Sequence, residues 1–319
     1  MSYWTDRRIL VTGGGGFFGR HLVKRLEREN PAALLAPRAK EYDLRQADAV
    51  ERCLAATRPE VVIHAAASVG GIGANQRHPG KFFYDNAIMG LNLIEGARRA
   101  GVGKFVCLGT VCAYPGDTPV PFREEDLWNG YPEPTNAPYG LAKKMLLVQL
   151  QGYRQEYGFP GIYLIPVNLY GPGDNFDPES SHVIPALIRR FAEARDKGLP
   201  EVVLWGDGTA TREFLHAADA AEAVALAAER YDGPEPVNVG TGFEISIRDL
   251  AQQIARATGF TGKIGWDRSK PNGQRRRRLD TSRAFEAFGF RARIGFEEGL
   301  AQTVAWWRDE GSGRGRRRE

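Results

Sequence analysis

Tyr139 and Lys143 stand four residues apart in Tyr-Gly-Leu-Ala-Lys, a spacing that places both side chains on one face of a helix. An ammonium beside a phenol favours the phenolate, lowers its pKa from about 10 and makes tyrosine a usable proton donor or acceptor opposite a hydride carrier. Taken alone, the spacing arises by chance in many helices. Thr110 adds to it, because it follows the apolar run Lys104–Leu108, where a hydroxyl at a strand end would meet a substrate. Cys112 lies at the same edge, and His182, in Ser-His-Val-Ile-Pro, stands at a helix start. A thiolate can remove a proton next to a carbonyl, and an imidazolium can return one on the opposite face. The plainer alternative is a small buried thiol and a capping or surface histidine, and spacing alone favours it. Cys53 and Cys107 fall inside a helix and a strand and read as core residues. No metal site competes, since the five histidines and three cysteines show no ligand spacing.

A hydride carrier needs a cradle, and the N-terminal segment offers one. Arg8–Thr12 reads as a strand that runs into Gly13-Gly14-Gly15-Gly16-Phe17-Phe18-Gly19, where a helix begins. Glycines at 13, 16 and 19 permit a tight turn, close approach of backbone to a pyrophosphate, and close helix–sheet packing. The helix start then presents free N–H groups to phosphate charge. The second strand should end in an acidic residue to bind the ribose 2′-hydroxyl of NAD. It reads Leu35-Ala36-Pro37-Arg38 instead. An arginine without a carboxylate suits a 2′-phosphate, which points to NADP(H), with NAD(H) as the alternative if Arg38 is an ordinary solvated loop residue.

The elements that must position these groups alternate. Strands are expected at 8–12, 33–36, 61–64, 104–108 and 161–165, and helices at 17–29, 47–56, 81–100 and 139–157, with a proline- and glycine-rich loop over 114–138. That rhythm predicts an α/β fold, a doubly wound parallel sheet of Rossmann type with right-handed crossovers. After Gly171-Pro172-Gly173 the pattern turns irregular, with helices expected at 184–197, 222–230 and 247–258 and short strands at 201–204, 237–239 and 263–266. This suggests a cofactor domain of 1–170 plus about 212–241, and a smaller substrate domain of about 171–211 plus 242–310. Residues 311–319, almost entirely glycine and arginine, are expected to form a disordered basic tail.

The chain has 319 residues, 42% apolar and 26% charged, which fits about two globular domains and excludes a collagen, a coiled coil or a disordered chain as the main architecture. Three cysteines make no disulfide framework, no apolar run spans a bilayer, and the first residues do not read as a signal peptide. A cytoplasmic protein is expected. The net charge of +4 hides an acidic body: without the eight arginines at 275–278, 314 and 316–318 it would be −4. A general nucleic-acid surface is therefore not expected.

The glycine turn, Thr110, Tyr139 and Lys143 together resemble the extended short-chain dehydrogenase/reductase superfamily. Longer segments are more specific: Val69–Asn75, Glu133–Tyr139, Asn168–Pro172, Asp174–Phe176, Ser181–Ala186 and Arg212–His216 closely resemble the GDP-L-fucose synthase family. That resemblance runs to about Trp307 and implies an NADPH-dependent 3,5-epimerase/4-reductase acting on GDP-4-keto-6-deoxymannose. It implies Tyr139 and Lys143 as the reductase pair with Thr110 where serine is usual, and Cys112 and His182 as the epimerisation acid and base. Ala65 and Ala66, with Asn168, Lys143 and His182, would complete the cofactor site begun by Gly13, Gly16, Phe17, Phe18, Gly19 and Arg38. Asn168, Arg190, Trp205, Arg212 and Arg277 would meet the nucleotide sugar, Arg277 from a loop reaching the diphosphate. A homodimer built on helices 81–100 and 139–157 is implied as well. The sequence departs from the family at Thr110-Val111, at Ser68 and at Arg275–Arg278. Two rivals stand beside this reading: an epimerase that keeps NAD(P) with no net redox change, and a silent nucleotide sensor with an RNA-binding tail.

Overall fold

The computed structural model describes residues 2–270 and 273–311; the expected basic tail, from 312 onward, lies outside the described residues. The first half alternates as β1 (Arg8–Thr12), α1 (Phe17–Glu27), β2 (Ala33–Leu35), α2 (Ala47–Thr57), β3 (Val61–His64), α3 (Ile72–Arg77), α4 (Pro79–Arg99), β4 (Lys104–Leu108), α5 (Ala137–Tyr157) and β5 (Gly161–Pro166). The second half comprises β6 (Asn168–Tyr170), α6 (Val183–Asp196), β7 (Glu201–Trp205), β8 (Thr211–His216), α7 (Ala217–Arg230), β9 (Val237–Val239), β10 (Glu244–Ser246), α8 (Ile247–Thr258), β11 (Lys263–Asp267), α9 (Ser282–Phe288) and α10 (Phe296–Trp306).

Six strands form one parallel sheet in the order β2-β1-β3-β4-β5-β9. The chain leaves β1 toward β2 and returns on the other side at β3, so a crevice opens where the carboxyl ends of β1 and β3 diverge, the place where doubly wound sheets take their ligands. β3 and β4 are buried along their whole length, as strands covered by helices on both faces must be. Burying a side chain such as Ile63 or Val106 is worth about 1.5–3 kcal/mol, which fixes the register of the sheet and therefore the height at which each strand end emerges.

A three-stranded sheet, β10-β8-β6, and a parallel pair, β11-β7, complete the strands. They surround a second apolar cluster that includes Ile188, Phe191, Leu250, Ile254 and Leu300. Phe176 closes it by stacking on Trp307 with ring centroids 4.4 Å apart.

Several expected boundaries move. α1 ends at Glu27 rather than Glu29, and α5 begins at Ala137 because Pro138 suits a first helical turn. α7 begins at Ala217 rather than Glu222: His216 caps it, its imidazole accepting the Ala218 N–H at 3.3 Å. The alanines that follow carry too little hydrophobic contrast to mark a helix face. β6, β8, β10, α3, α9 and α10 were not among the expected elements.

Candidate active site

The crevice is floored by the glycine turn. Gly13 has φ +74°, and a Cβ there would lie 2.7 Å from the Ala66 nitrogen, so the two strand ends approach as only glycine allows. A Cβ on Gly19 would run into the Gly13 carbonyl, which is why α1 can press against the turn. Gly16 donates its N–H to Gly13 O at 2.9 Å, and no side chain caps α1. The first-turn N–H groups are thus left for an anion. On the β3 side, Thr12 Oγ1 receives the Ala66 N–H at 3.4 Å and bonds His64 Nδ1 at 2.8 Å. Arg38 reaches over the turn, its Cζ 3.0 Å from where a Gly15 Cβ would stand. The cradle, the free helix start and a guanidinium above it fit a dinucleotide bearing a 2′-phosphate. Replacing Arg38 with serine should cost at least tenfold in NADPH affinity and leave NADH unchanged, since a hydrogen bond to a charged group is worth about 1.5–3 kcal/mol. Titration calorimetry with both cofactors checks this; an unaltered preference would remove Arg38 from the site.

Across the sheet, β4 delivers Thr110 and Cys112 in one short turn. The Thr110 hydroxyl oxygen accepts the Cys112 N–H at 3.2 Å, and the same side chain acts to lower the Tyr139 pKa. A Cβ on Gly140 would collide with the Cys112 carbonyl, so glycine after Tyr139 is what lets α5 lie against this turn. Tyr163, beneath, donates to the Lys143 carbonyl at 2.8 Å and steadies the next turn of α5.

The expected lowering of the phenol by its lysine is not what the site shows. Burial pushes Tyr139 well above the ordinary tyrosine value, the neighbouring Cys112 pushes in the same direction, and only the Thr110 hydrogen bond opposes them. Lys143, 2% exposed, is itself lowered by burial. Desolvation is the largest influence on both groups, and Lys143 is not among those that act on the phenol, so the phenol keeps its proton. That is the form a proton donor requires.

Cys112 meets a guanidinium. Arg277, 7% exposed, donates from Nη1 to Cys112 Sγ at 3.6 Å. Its Nε and Nη2 both bond Gln274 Oε1, at 3.0 and 2.9 Å. Arg212 lies beside it, with its Nη1 on Gln274 O at 2.7 Å; burial first, then the charge of Arg277, lowers its pKa to about 10. Arg277, expected on a loop reaching the diphosphate, directs its Nη1 at the thiol.

His182 is presented by a loop that its own polar residues fold: Asp177 receives the Glu179 and Ser180 N–H groups at 3.0 and 3.1 Å. Ser180 O in turn accepts the Gly71 N–H at 3.0 Å, which ties this loop to the segment Val69–Asn75. Desolvation by the surrounding walls lowers the imidazole pKa. Among the described residues, no hydrogen bond joins His182 to Cys112. Asn168 on β6 donates to Glu213 O at 3.0 Å, and Arg190 on α6 donates to Val203 O at 2.6 Å, next to the exposed Trp205. Phe17 and Phe18 open α1 at the turn itself.

Two residues escaped the sequence reading. Glu213 is fully buried, and its carboxylate receives the N–H groups of Thr241, Gly242 and Leu279 at 2.5, 2.8 and 2.7 Å. It fastens β8, and with it Arg212, to the segment carrying Arg277. Its signal was present, an acid between Arg212 and Phe214 in a strand that otherwise reads as buried. Gln274 gave none, standing as it does next to a run of arginines. Among the described residues no cluster of histidine, cysteine or carboxylate side chains could hold a metal ion.

Comparison with known proteins agrees with this geometry. Residues 9–240 match the NAD dependent epimerase/dehydratase family. GDP-L-fucose synthase 1 of Arabidopsis thaliana is 42% identical over 310 residues, covering 96% of this chain and 95% of its own length. GDP-L-fucose synthase of Sinorhizobium fredii is 43% identical, covering 95% of this chain and 96% of its own length. The crystal structure of a GDP-L-fucose synthetase from Naegleria fowleri bound to NADP superposes with a TM-score of 0.88 at 30% identity, over 98% of this chain and 97% of that one. The chain belongs to the NAD dependent epimerase/dehydratase family and, within it, to the GDP-L-fucose synthases.

Proposed function

We propose that the protein is an NADPH-dependent 3,5-epimerase/4-reductase acting on a GDP-linked 4-keto-6-deoxyhexose. One observation carries this beyond the family match: Thr110 accepts the Cys112 N–H, and the helix bearing Tyr139 lies so close to this turn that a Cβ on Gly140 would collide with the Cys112 carbonyl. A thiol suited to protons on carbon and a phenol suited to a carbonyl oxygen therefore open onto one small space.

NADPH, when bound along Gly13–Gly19, Arg38, Ala65 and Ala66, supplies the hydride for C4. Cys112 takes a proton from a carbon flanking the C4 carbonyl, and His182 returns one from the opposite face. The buried, protonated Tyr139 hydroxyl gives its proton to the C4 oxygen, with Thr110 orienting it. Lys143 adds a positive charge beneath the oxygen that is becoming negative. Asn168, Arg190, Trp205 and Arg212 hold the nucleotide sugar, and the two guanidiniums meet its phosphates.

The reading assigns 1–170 plus about 212–241 to the cofactor and 171–211 plus 242–310 to the sugar nucleotide, the second part built on its own apolar cluster. It also places the enzyme in the cytoplasm as a homodimer through α4 and α5. On those helices Phe83, Tyr84, Val148 and Tyr157 are 42–60% exposed, more apolar surface than helices facing water usually show.

Supplying GDP-4-keto-6-deoxymannose and NADPH should give stoichiometric loss of the reduced-nicotinamide absorbance and a product inverted at C3 and C5 by NMR. Inversion without cofactor oxidation would instead establish an epimerase that retains its nicotinamide.

A further inference from the structure

We propose that Arg277 is a positioning residue for Cys112, holding the sulfur in place and stabilising the negative charge it carries when it acts as a base. The base role rests on the function proposed above; the contact does not.

Four features converge on it. First, the guanidinium is almost wholly buried and directs Nη1 at Sγ, 3.6 Å away. Second, it cannot swing aside. Gln274 Oε1 accepts from both Nε and Nη2, the Gln274 amide is pinned by donating to Gly116 O at 2.9 Å, and the Arg277 backbone carbonyl accepts the Glu213 N–H at 3.1 Å. Third, its anchor is neutral. Among the described residues no carboxylate pairs with Arg277, so its charge is left unbalanced in a place where unbalanced charge is costly. Fourth, Arg212 stands next to it, and the charge of Arg277 disfavours the cation on Arg212. Two like charges kept together in a protein interior call for an anion between or beside them; Cys112 and Glu133 both act on Arg212 in that sense, and Cys112 Sγ is the one that Arg277 itself touches.

The chemistry follows. As the thiolate takes a proton from carbon, the C–H bond breaks, the S–H bond forms and the electron pair moves into the enolate oxygen at C4. Negative charge thereby leaves the sulfur, and an arginine that stays fixed through the step neither follows it nor needs to reorganise. Lysine is a flexible point donor, whereas this arginine uses two N–H groups for its anchor and a third for the sulfur.

Alkylation of Cys112 by iodoacetamide in substrate-free enzyme, followed by mass spectrometry of the Cys112 peptide, tests this without any turnover. Cys53 and Cys107 are fully buried and serve as internal controls. Arg277→Gln should shift the rate profile to higher pH and slow alkylation at neutral pH by about tenfold, the lower end of what a hydrogen bond to a charged group supplies. Arg277→Lys should restore part of the rate. In turnover, Arg277→Gln should lower kcat for solvent deuterium exchange with little change in KM.

A raised KM with an unmoved alkylation profile would overturn the proposal and make Arg277 a ligand of the substrate's phosphates. Should Arg277→Gln fail to fold, Gln274→Glu carries the test, because it keeps an acceptor for Arg277 but pairs its charge with a carboxylate: slower alkylation supports the proposal and an unchanged rate refutes it. A protein that turns over no keto-sugar yet shows the shifted profile would retain this inference while losing the function above.

Discussion

Tyr139→Phe is expected to slow reduction at C4 by about 10²–10⁴-fold, the usual worth of a placed general acid, while leaving exchange of substrate C–H protons with deuterated water intact. The substitution removes one oxygen from a side chain whose ring is held by the packing of α5 on the Cys112 turn, so binding and fold should persist. What disappears is the phenol O–H on which Thr110 and Cys112 both act. The wild-type enzyme should also show a particular pH dependence. Because burial and Cys112 raise the phenol well above its ordinary value, the proton-donating form is present throughout the neutral and mildly alkaline range and is lost only above about pH 10. Single-turnover cofactor oxidation measured across that range reads the step directly. A reductive rate that began to fall near neutrality in wild type, and stopped doing so in Tyr139→Phe, would mean that the phenol is acidified after all and that Lys143 dominates burial.

The correction at Tyr139 shows where sequence reasoning stops. Four-residue spacing on a helix leads to the expectation that phenol and ammonium share a face, and both residues lie on α5. Which of attraction and desolvation wins depends on how deeply Tyr163, Cys107 and the Thr110 turn bury them, and those residues come from strands far away in the chain. The glycine turn was legible because its requirements are local: positive φ at Gly13 and no Cβ at Gly19 are conditions on single residues. The parallel strands were legible for a similar reason, since a strand covered on both faces must be a continuous apolar run. β6 and β8 were not, because each is short and carries site residues, Asn168 and Arg212, that interrupt any pattern. Arg277 illustrates the same limit at the site. Its number within a run of four arginines says nothing about direction, and what holds it is Gln274 on its side chain and Glu213 on its backbone, of which Gln274 has no signature of its own.

Cys112→Ala is expected to abolish proton exchange at the carbons flanking the carbonyl, again by about 10²–10⁴-fold, while the variant still oxidises NADPH. With the thiol gone, the Tyr139 hydroxyl and the cofactor remain in place, so the variant should reduce the keto-sugar without inverting it and yield the wrong stereoisomer. His182→Asn should behave differently. Proton removal continues, so exchange into the intermediate persists, but return on the opposite face fails and inverted product is scarce. The pH dependence separates the two roles further. Burial lowers the His182 pKa from the usual imidazole value of about 6.5, so its proton-donating form fills only in mildly acidic solution. Inversion in the wild type should therefore rise as pH falls from neutrality toward that range, and His182→Asn should lose this rise while Cys112→Ala shows no inversion at any pH. Deuterium incorporation by NMR, run beside cofactor absorbance on the same samples, reads every step. If Cys112→Ala exchanges protons at the wild-type rate, the thiol is structural, and the protein is a reductase that receives its sugar already inverted.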